Sequence, residues 1–423
     1  MSRILATLGL VTVLLSAAFG EGGIPGAFLN YAVAPRSLAM GKAFTGLADD
    51  VQAAYFNPAG LFQLNSQEVL VAHSQLYGAR MEYVGYALPT REMGTFAVSV
   101  VNFGSEGISA KTPDNYAYQD YVFAENAFIA AYAYNPWRFL GFGAGLKLVT
   151  KNIAEYSGVG LGADIGALFR VSQLFSFGLV GQNLIQPSMK LVDLPEYYPR
   201  NLRAGAAVRL LDNRVRLDVD LVAVDFTSSE RRSFVPHGGV EFDLVPDLLV
   251  PRVGIDPNEI SLGLGLHKSW GKTAIGADYA FLLHHQSGYT LSPTHKIGLF
   301  LNFGGYRVWV DAQPEVFSPT AEDEQNVLWM DVRLMTRANV KRWQILVKNG
   351  LGEVVRTYAG LETPPLRMTW DGLDDAGRLV SDGRYHYDIV VIDMRNRPLS
   401  YSGYLTEVRT GGPKGRLEIR PRQ

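Results

Sequence analysis

The residue types that carry most enzyme chemistry are sparse in this sequence of 423 residues. Cysteine is absent, which excludes disulfides, thiolate metal sites and a thiol nucleophile. The seven histidines are scattered, and the pair His284-His285 has no carboxylate at metal-ligand spacing. Residues 156–160 lack the Gly-x-Ser-x-Gly elbow of a serine nucleophile. We therefore predict a protein that is not an enzyme and that has neither a cofactor nor a metal.

Two groups of carboxylates remain open to other roles. Four aspartates between residues 371 and 382 could hold Ca²⁺, which favours clustered oxygen ligands. Turn formation in a small β-domain explains these four equally well. Asp49-Asp50 either forms hydrogen bonds within its own segment or takes part in gating.

The composition favours strands that face lipid. Charged residues make up 19% of the chain, aromatic residues 11%, and there are 44 glycines. A soluble β-rich protein could share these values. The net charge of −2 gives no electrostatic footprint for nucleic acid.

The N-terminus has the pattern of a secretory signal peptide over residues 1–20. Arg3 precedes an apolar run over residues 4–15, and small residues follow up to Gly20. An uncleaved membrane anchor is the alternative, but the apolar run is too short to span a bilayer comfortably.

A period of two dominates residues 66–304. Between residues 158 and 169, apolar side chains alternate with Gly158, Gly160, Gly162, Asp164 and Gly166. Strands with one apolar face and one small or polar face are typical of transmembrane barrels. Glycine weakens a strand, so a soluble sandwich is the less favoured alternative. We predict an all-β fold with a 14-stranded transmembrane β-barrel, whose strands are residues 66–76, 80–89, 93–104, 121–135, 138–150, 158–171, 174–184, 200–211, 213–226, 234–244, 247–255, 259–268, 272–284 and 294–304.

Glycines on the inner face leave room for something inside the barrel. The segment ahead of the strands, residues 21–65, is a helix-like block of small and apolar residues that needs a cover, and we predict that it plugs the lumen. The plug or gating candidates are Arg36, Met40, Asp49, Asp50, Asn57 and Pro58. The charged residues expected to face the lumen, where they pair with each other or with the plug, are Arg214, Arg216, Asp218 and Asp220.

The character of the chain changes after residue 304. Residues 305–325 are rich in proline and acidic residues and are predicted to be a linker. Residues 326–410 have short strand patterns and turn signals, which predict a small β-sandwich. Residues 411–423 form a basic tail.

The plug segment carries a family resemblance. Arg36-Ser37-Leu38-Ala39-Met40-Gly41, Asp49-Asp50 and Asn57-Pro58-Ala59-Gly60 resemble the N-terminal signature of PorV-type outer-membrane proteins, within the FadL-like barrel superfamily. The resemblance implies a fourteen-stranded barrel in the outer membrane with its N-terminal segment in the lumen. PorV-like members imply a role in type IX secretion, and FadL-like members imply passage of hydrophobic molecules through a lateral opening.

A second resemblance lies in the C-terminal region. Residues 369–387 are similar to the FlgD-type Ig-like module, and the residues that carry the likeness are Trp370, Asp371, Gly372, Asp375, Gly383 and Tyr385. Residues 296–303, within the last predicted barrel strand, resemble the signal read by the barrel assembly machinery.

Together these features predict a PorV-type barrel that takes part in protein export and binds or shuttles secreted cargo to the cell surface. The alternative is a FadL-like outer-membrane transporter of hydrophobic small molecules. Expected partners are outer-membrane lipid, the barrel assembly machinery, secretion-system components or exported cargo, and, under the alternative, a hydrophobic ligand. An even number of strands returns the chain to its starting side, so the C-terminal domain is expected in the periplasm.

Overall fold

The computed structural model describes residues 25–410 except for 77, 91–92, 112–113, 115, 138, 173, 212, 230–231, 271–272, 285–292, 306, 322–325, 336–339 and 394–397. The predicted signal peptide and basic tail lie outside the described residues. The chain divides after Gly304 into two compact units, residues 1–304 and residues 305–423. None of the described helices is long and apolar enough to cross a membrane.

The first unit is a closed antiparallel barrel of fourteen strands, which confirms the predicted all-β barrel and its strand number. Neighbours in sequence pair with one another, and the last strand pairs with the first, from Gln67↔Phe303 to Gln75↔His295. A small hairpin, β8 and β9, lies between two wall strands. The barrel strands are β1 Gln67–Leu76, β2 Ala79–Pro89, β3 Thr95–Lys111, β4 Ala117–Trp137, β5 Leu140–Ile153, β6 Tyr156–Arg170, β7 Phe175–Ile185, β10 Asn201–Leu210, β11 Val215–Val224, β12 Ser233–Phe242, β13 Leu249–Ile255, β14 Glu259–Trp270, β15 Thr273–His284 and β16 Thr294–Phe303, and the hairpin comprises β8 Ser188–Lys190 and β9 Pro195–Tyr197.

The wall strands have an apolar outer face. On β6, Val159, Leu161 and Ile165 are exposed, whereas the alternating Gly162 and Gly166 are buried. Exposed large apolar side chains recur in this way on strand after strand. Such a continuous outward apolar surface is what a barrel presents to lipid.

The gaps between predicted strands at residues 105–120 and 185–199 are predicted to be long loops on the outer surface, but both contain strands. Strands β3 and β4 extend into the predicted loop over residues 105–120, where Ser109 pairs with Asp120. The predicted loop over residues 185–199 contains the β8–β9 hairpin. Hydrogen-bonded ladders can continue past the apolar band, and apolar periodicity does not detect that extension.

The plug occupies residues 25–64 and consists of short helices joined by turns. They are the 3₁₀ helices Ala27–Asn30 and Pro58–Gln63, α1 Pro35–Ala39 and α2 Ala53–Phe56. Pro35 starts α1, where its missing N–H costs nothing. Asn57 caps the helix that begins at Pro58, because its side chain accepts a hydrogen bond from the Ala59 N–H. Nearly every plug residue from Tyr31 to Leu61 is buried.

The second unit has two sheets, of three strands in the order β17-β19-β22 and of five strands in the order β18-β24-β23-β20-β21. The indole of Trp370 is fully buried between Phe317 and Tyr385, with ring centroids 5.6 and 5.2 Å away. The strands are β17 Arg307–Gln313, β18 Val316–Phe317, β19 Leu328–Met335, β20 Val340–Lys348, β21 Val354–Leu361, β22 Arg367–Trp370, β23 Gly383–Asp393 and β24 Pro398–Val408.

The predicted linker, residues 305–325, contains two of these strands. β17 pairs with β19 from Arg307↔Met335 to Gln313↔Trp329, and β18 pairs in parallel with β24. Val308, Val310 and Phe317 are buried in the core of the second unit. The prediction of a linker is therefore wrong for this stretch. Prolines and acidic residues dominate its composition, but a short alternation of apolar side chains lies among them and forms the strands.

Candidate functional site in the plugged barrel

Inner-facing glycines let the plug backbone lie directly against the wall. A Cβ atom built on Gly143 would lie 2.2 Å from the Ala59 nitrogen, and one on Gly254 would lie 2.0 Å from the Gly41 nitrogen. Any larger residue at these positions must displace the plug or the strand. The other wall glycines whose Cβ atom would lie within 2.8 Å of a plug atom are Gly141, Gly166, Gly178, Gly205, Gly239, Gly263 and Gly298.

The plug is fastened to the wall by Arg36. Its Nε and Nη2 atoms donate to the two carboxylate oxygens of Glu241 on β12, each at 2.9 Å. Its Nη1 atom donates to Asp49 at 2.8 Å and to Asp50 at 2.7 Å, both within the plug. One guanidinium thus ties two turns of the plug to one wall strand.

Glu241 is the shared partner of three arginines. Besides Arg36, it accepts a hydrogen bond from Arg252 Nε at 2.6 Å and another from Arg216 Nη1. The Glu241 side chain is 1% exposed, so this carboxylate has almost no contact with water. Removing it would leave three guanidiniums without their common counter-charge.

Further ion pairs extend this network along the wall. Arg252 Nη1 bonds Asp278 at 2.6 Å, and Asp278 also contacts His267 Nε2 at 3.1 Å. Arg216 Nη2 bonds Asp243 at 2.9 Å. These groups line a polar cavity of about 330 Å³ that Arg36, Asp49 and Asp50 also line. We call this set of residues the Arg36–Glu241 network.

The two plug carboxylates of the network differ in acidity. Burial raises the pKa of Asp50 to about 6 against the opposing pull of Arg36, and the charge of Asp49 adds to the rise. Burial would also raise the pKa of Asp49, but the guanidiniums of Arg36, Arg209 and Arg216 bring it below its ordinary value. Both carboxylates are therefore mostly charged at pH 7, and Asp50 takes up a proton as the pH falls through about 6, whereas Asp49 stays charged.

Asp218 and Asp220, predicted to face the lumen, bind plug backbone. Asp220 Oδ2 accepts hydrogen bonds from the N–H groups of Phe44 at 3.1 Å and Thr45 at 3.0 Å. Asp218 accepts one from the Leu47 N–H at 2.9 Å. These carboxylates satisfy backbone donors of a plug turn that has no regular helix of its own.

Arg214, the fourth residue predicted to face the lumen, lies elsewhere. It precedes β11, is exposed, and donates to the backbone carbonyls of Asp243 at 3.2 Å and Leu244 at 3.2 Å. Its position in the alternation matches that of Arg216, but the ladder begins only at Val215, so the lumenal assignment of Arg214 is wrong.

The remaining plug candidates have structural contacts. Met40 is fully buried, and its backbone lies against Gly239. Asn57 Nδ2 donates to the carbonyls of Thr45 and Ala167, each at 3.2 Å, and so joins two parts of the plug to β6. Pro58 lies against Gly143.

The wall changes its pairing between β6 and β7. β6 pairs with β5 from Tyr156 to Phe169 but with β7 from Ala163 to Arg170. The register moves from Ile165↔Gly181 to Ala163↔Ile185, so residues 182–184 bulge out of the ladder. Residues 187–191 pack on the inner face of β6, where they lie against Gly158, Gly160 and Gly162.

A buried polar cluster lies behind this bulge. Asn183 adopts a left-handed backbone with φ of 54°, and its N–H donates to Asp164 at 2.7 Å. Lys147 Nζ bonds Asn183 at 2.9 Å and Asp164 at 2.8 Å. On the outer side, an apolar cavity of about 600 Å³ is lined by residues that include Val100, Phe128, Leu146, Leu161 and Ile185.

The motif residues of the second unit form turns and core. Asp371 accepts from the Leu373 N–H, and the Trp370 indole donates to the Leu373 carbonyl at 2.9 Å. Gly372 and Gly383 have positive φ angles of 73° and 148°. Tyr385 donates its hydroxyl to Ser381 O at 2.7 Å.

The other aspartates considered for Ca²⁺ have protein donors. Asp375 accepts from the Thr357 N–H at 3.1 Å, and Asp382 accepts from the Thr410 N–H at 2.7 Å. The N–H of Arg378 donates to Asp374 at 2.8 Å and lowers the pKa of that carboxyl. These contacts favour the turn interpretation over calcium binding.

Sequence reasoning missed Glu241, Arg252 and Asp278 of the Arg36–Glu241 network, and it also missed the Lys147–Asp164–Asn183 cluster. The usable signal was a charged residue at an inner-face position of an otherwise apolar or glycine-rich strand, as at Lys147 and Asp164. That signal locates a buried charge but not its partner.

No family model and no curated protein matches this sequence. Solved structures similar to it include a CymD monoaromatic hydrocarbon channel, with 13% identity over 65% of this chain and 98% of that chain and a TM-score of 0.48. A Pseudomonas aeruginosa FadL homologue has 11% identity over 64% and 98%, with a TM-score of 0.49. The Ralstonia pickettii toluene transporter TbuX has 14% identity over 64% and 97%, with a TM-score of 0.45. The fold of this chain is defined by its own strand pairing, and no activity follows from likeness at this level.

Proposed function

We propose that this chain is a FadL-like outer-membrane barrel that passes hydrophobic small molecules and is not an enzyme. The observation that carries the proposal is the bulge between β6 and β7, beside an outward apolar cavity of about 600 Å³. A hydrophobic molecule would pass between lumen and lipid where the pairing of β6 with β7 ends at Ala163, whereas a fully paired wall offers no such place.

The plug supports a lateral route over an axial one. Wall glycines and the Arg36–Glu241 network hold the plug in the lumen, where its residues from Tyr31 to Leu61 are nearly all buried. A polar solute would need an open axial channel. A hydrophobic solute can instead use the apolar outer surface next to Leu161 and Ile185.

Protein export by a PorV-type barrel is the second candidate. The observation in its favour is the separate folded unit of residues 305–423. A barrel that only passes small molecules does not need such a unit. In this interpretation the second unit lies in the periplasm and contacts a secretion component or exported cargo. The bulge and the apolar cavity favour small-molecule passage.

Blocking the apolar cavity should reduce uptake of a hydrophobic probe. We expect the double variant Leu161→Trp/Ile185→Trp to lower uptake by about tenfold, because two indoles would narrow the cavity at its edge beside the bulge. Both side chains are more than 60% exposed on the outer face, so the larger rings need not disturb the lumen. The measurement is accumulation of radiolabelled toluene and of a radiolabelled long-chain fatty acid in cells without another uptake route.

The matched control is Val219→Trp, which adds an indole to an equally exposed outward position on β11. This variant should keep wild-type uptake. Equal uptake by wild type and the double variant would refute the lateral route. Uptake by wild type no faster than by cells lacking the protein would refute small-molecule passage and leave export as the better candidate.

A further inference from the structure

Asn183 is buried at a position where an unbroken strand would face lipid. Along β7, the exposed Phe177 and Leu179 alternate with buried residues, and a regular alternation would also turn residue 183 outward. The structure instead leaves Asn183 only 4% exposed, and the next residue, Leu184, is turned outward. An amide that faces lipid without a hydrogen-bond partner is costly, so the side chain of Asn183 favours a break in the alternation.

The Lys147–Asp164–Asn183 cluster holds the backbone in the bulge. Asp164 Oδ1 accepts a hydrogen bond at 2.7 Å from the Asn183 N–H, a donor that the bulge takes out of the ladder. Lys147 Nζ, from β5, bonds the Asp164 carboxylate at 2.8 Å and the side-chain oxygen of Asn183 at 2.9 Å. Asn183 Nδ2 donates to the Pro199 carbonyl at 2.8 Å, which ties the bulge to the segment ahead of β10. The φ of 54° at Asn183 is an angle that asparagine tolerates better than most residues.

We propose that the Lys147–Asp164–Asn183 cluster keeps the barrel wall open between β6 and β7. The three residues are 4%, 1% and 4% exposed, so the cluster places an ion pair where apolar side chains would fill the space at least as stably. Such a pair can instead specify one backbone arrangement over a competing one. This role rests on the proposed function, because the three residues position the opening through which a hydrophobic molecule would pass.

The arrangement that competes with the bulge is an unbroken ladder in a different register. The pairing of Ile165 with Gly181 would then continue to Leu161 opposite Ile185, whereas the bulge puts Ala163 opposite Ile185. An unbroken ladder would extend the paired wall from Ala163 to Leu161, beside the apolar cavity that Leu161 lines. Loss of the cluster should therefore close the opening by shifting the register of β7, without unfolding the strand.

The test reads the register of β7 with pairs of cysteines, since the chain has no cysteine of its own. Oxidation in isolated membranes should produce a disulfide in the variant Ala163→Cys/Ile185→Cys, because directly opposed residues have Cβ atoms about 5 Å apart. The variant Leu161→Cys/Ile185→Cys should form none, since diagonal neighbours lie about 7–8 Å apart. Mass spectrometry detects each disulfide as a link between the two tryptic peptides that meet at Arg170.

Adding Asn183→Val should reverse this pattern of cross-linking. Valine suits an outward position in a strand and rarely adopts a positive φ, so the bulge loses both its amide and its backbone angle. The double variant Lys147→Met/Asp164→Leu removes both charges together, leaves neither ion unpaired, and should shift the register in the same way. Without the added cysteines, Asn183→Val and the double variant should each lower toluene uptake about tenfold, because few molecules keep the open wall.

The matched control is Lys151→Met/Glu125→Leu, which removes another ion pair from the inner faces of β4 and β5. It should keep the wild-type pattern of cross-linking. An unchanged register in both Asn183→Val and Lys147→Met/Asp164→Leu, or a shifted register with uptake equal to that of wild type, would overturn the proposal. If the wild-type protein takes up no toluene, the proposed function fails, and a shifted register in the variants would still support the hold of the cluster on the bulge.

Discussion

Replacing Glu241 by glutamine should open the lumen to small ions. The substitution keeps the shape of the side chain but removes the charge shared by Arg36, Arg216 and Arg252. Breaking a buried ion pair by neutralising one partner typically costs about 3–5 kcal/mol. Because one partner of Glu241 belongs to the plug, much of this cost should appear as plug release. Ion conductance of the purified protein in planar bilayers measures plug release. We expect the conductance to rise from near the baseline to long-lived open events.

Asp247→Asn is the matched control for this prediction. Asp247 lines the same polar cavity, but its side chain is 44% exposed and its partner Lys268 is 3.8 Å away. Exposed pairs of this kind contribute little, so conductance should stay at the wild-type level. If Glu241→Gln stays closed while its barrel is folded, the Arg36–Glu241 network does not hold the plug.

Replacing Gly143 by valine should expel part of the plug. A Cβ atom at this position would lie 2.2 Å from the Ala59 nitrogen and 2.3 Å from the Pro58 carbonyl carbon, both of which are backbone atoms. Overpacking usually costs about 1–3 kcal/mol, and rigid backbone on both sides places this site at the upper end. Trypsin should then cleave after Arg36 or Lys42, which the folded plug protects.

The control for Gly143→Val is Ala144→Val, one residue along β5. Ala144 is exposed on the outer face, so the added methyl groups meet lipid or detergent rather than the plug. This variant should resist trypsin like wild type. Equal protection of both variants would show that the wall at Gly143 does not press on the plug.

The architecture of the barrel could be predicted because its signal is local. The alternation on β6 shows in a few consecutive residues which face is outward, and the inward glycines indicate that something fills the lumen. The block from Arg36 to Gly60 could be placed inside for the same reason, since so many small and apolar residues require burial.

The partners within the site could not be predicted, because strand register decides them. Arg36 and Glu241 are 205 residues apart, and no local pattern links them. The bulge between β6 and β7 could not be predicted either, because the alternation of β7 ends at Val180 without indicating where pairing with β6 resumes. Arg214 shows that the alternation of side chains predicts which face of a strand a residue occupies, but not the residue at which strand pairing begins.

The central claim is that the plug lies inside the barrel against its glycine-lined wall. The chain has no cysteine, so an introduced pair would be the only thiols. Thr45 of the plug and Asp220 of β11 already have side chains in contact, because Thr45 Oγ1 donates to Asp220 Oδ2 at 2.6 Å, so cysteines at these two positions lie within reach of a disulfide.

The most direct test is oxidation of the Thr45→Cys/Asp220→Cys variant in isolated membranes, read as a mobility shift on a non-reducing gel. The control pair is Thr45→Cys/Ala206→Cys, because Ala206 points to the other face of β10. We predict a disulfide in the first pair and none in the second. Absence of a cross-link in the first pair, or equal cross-linking of both, would contradict a plug held within the lumen.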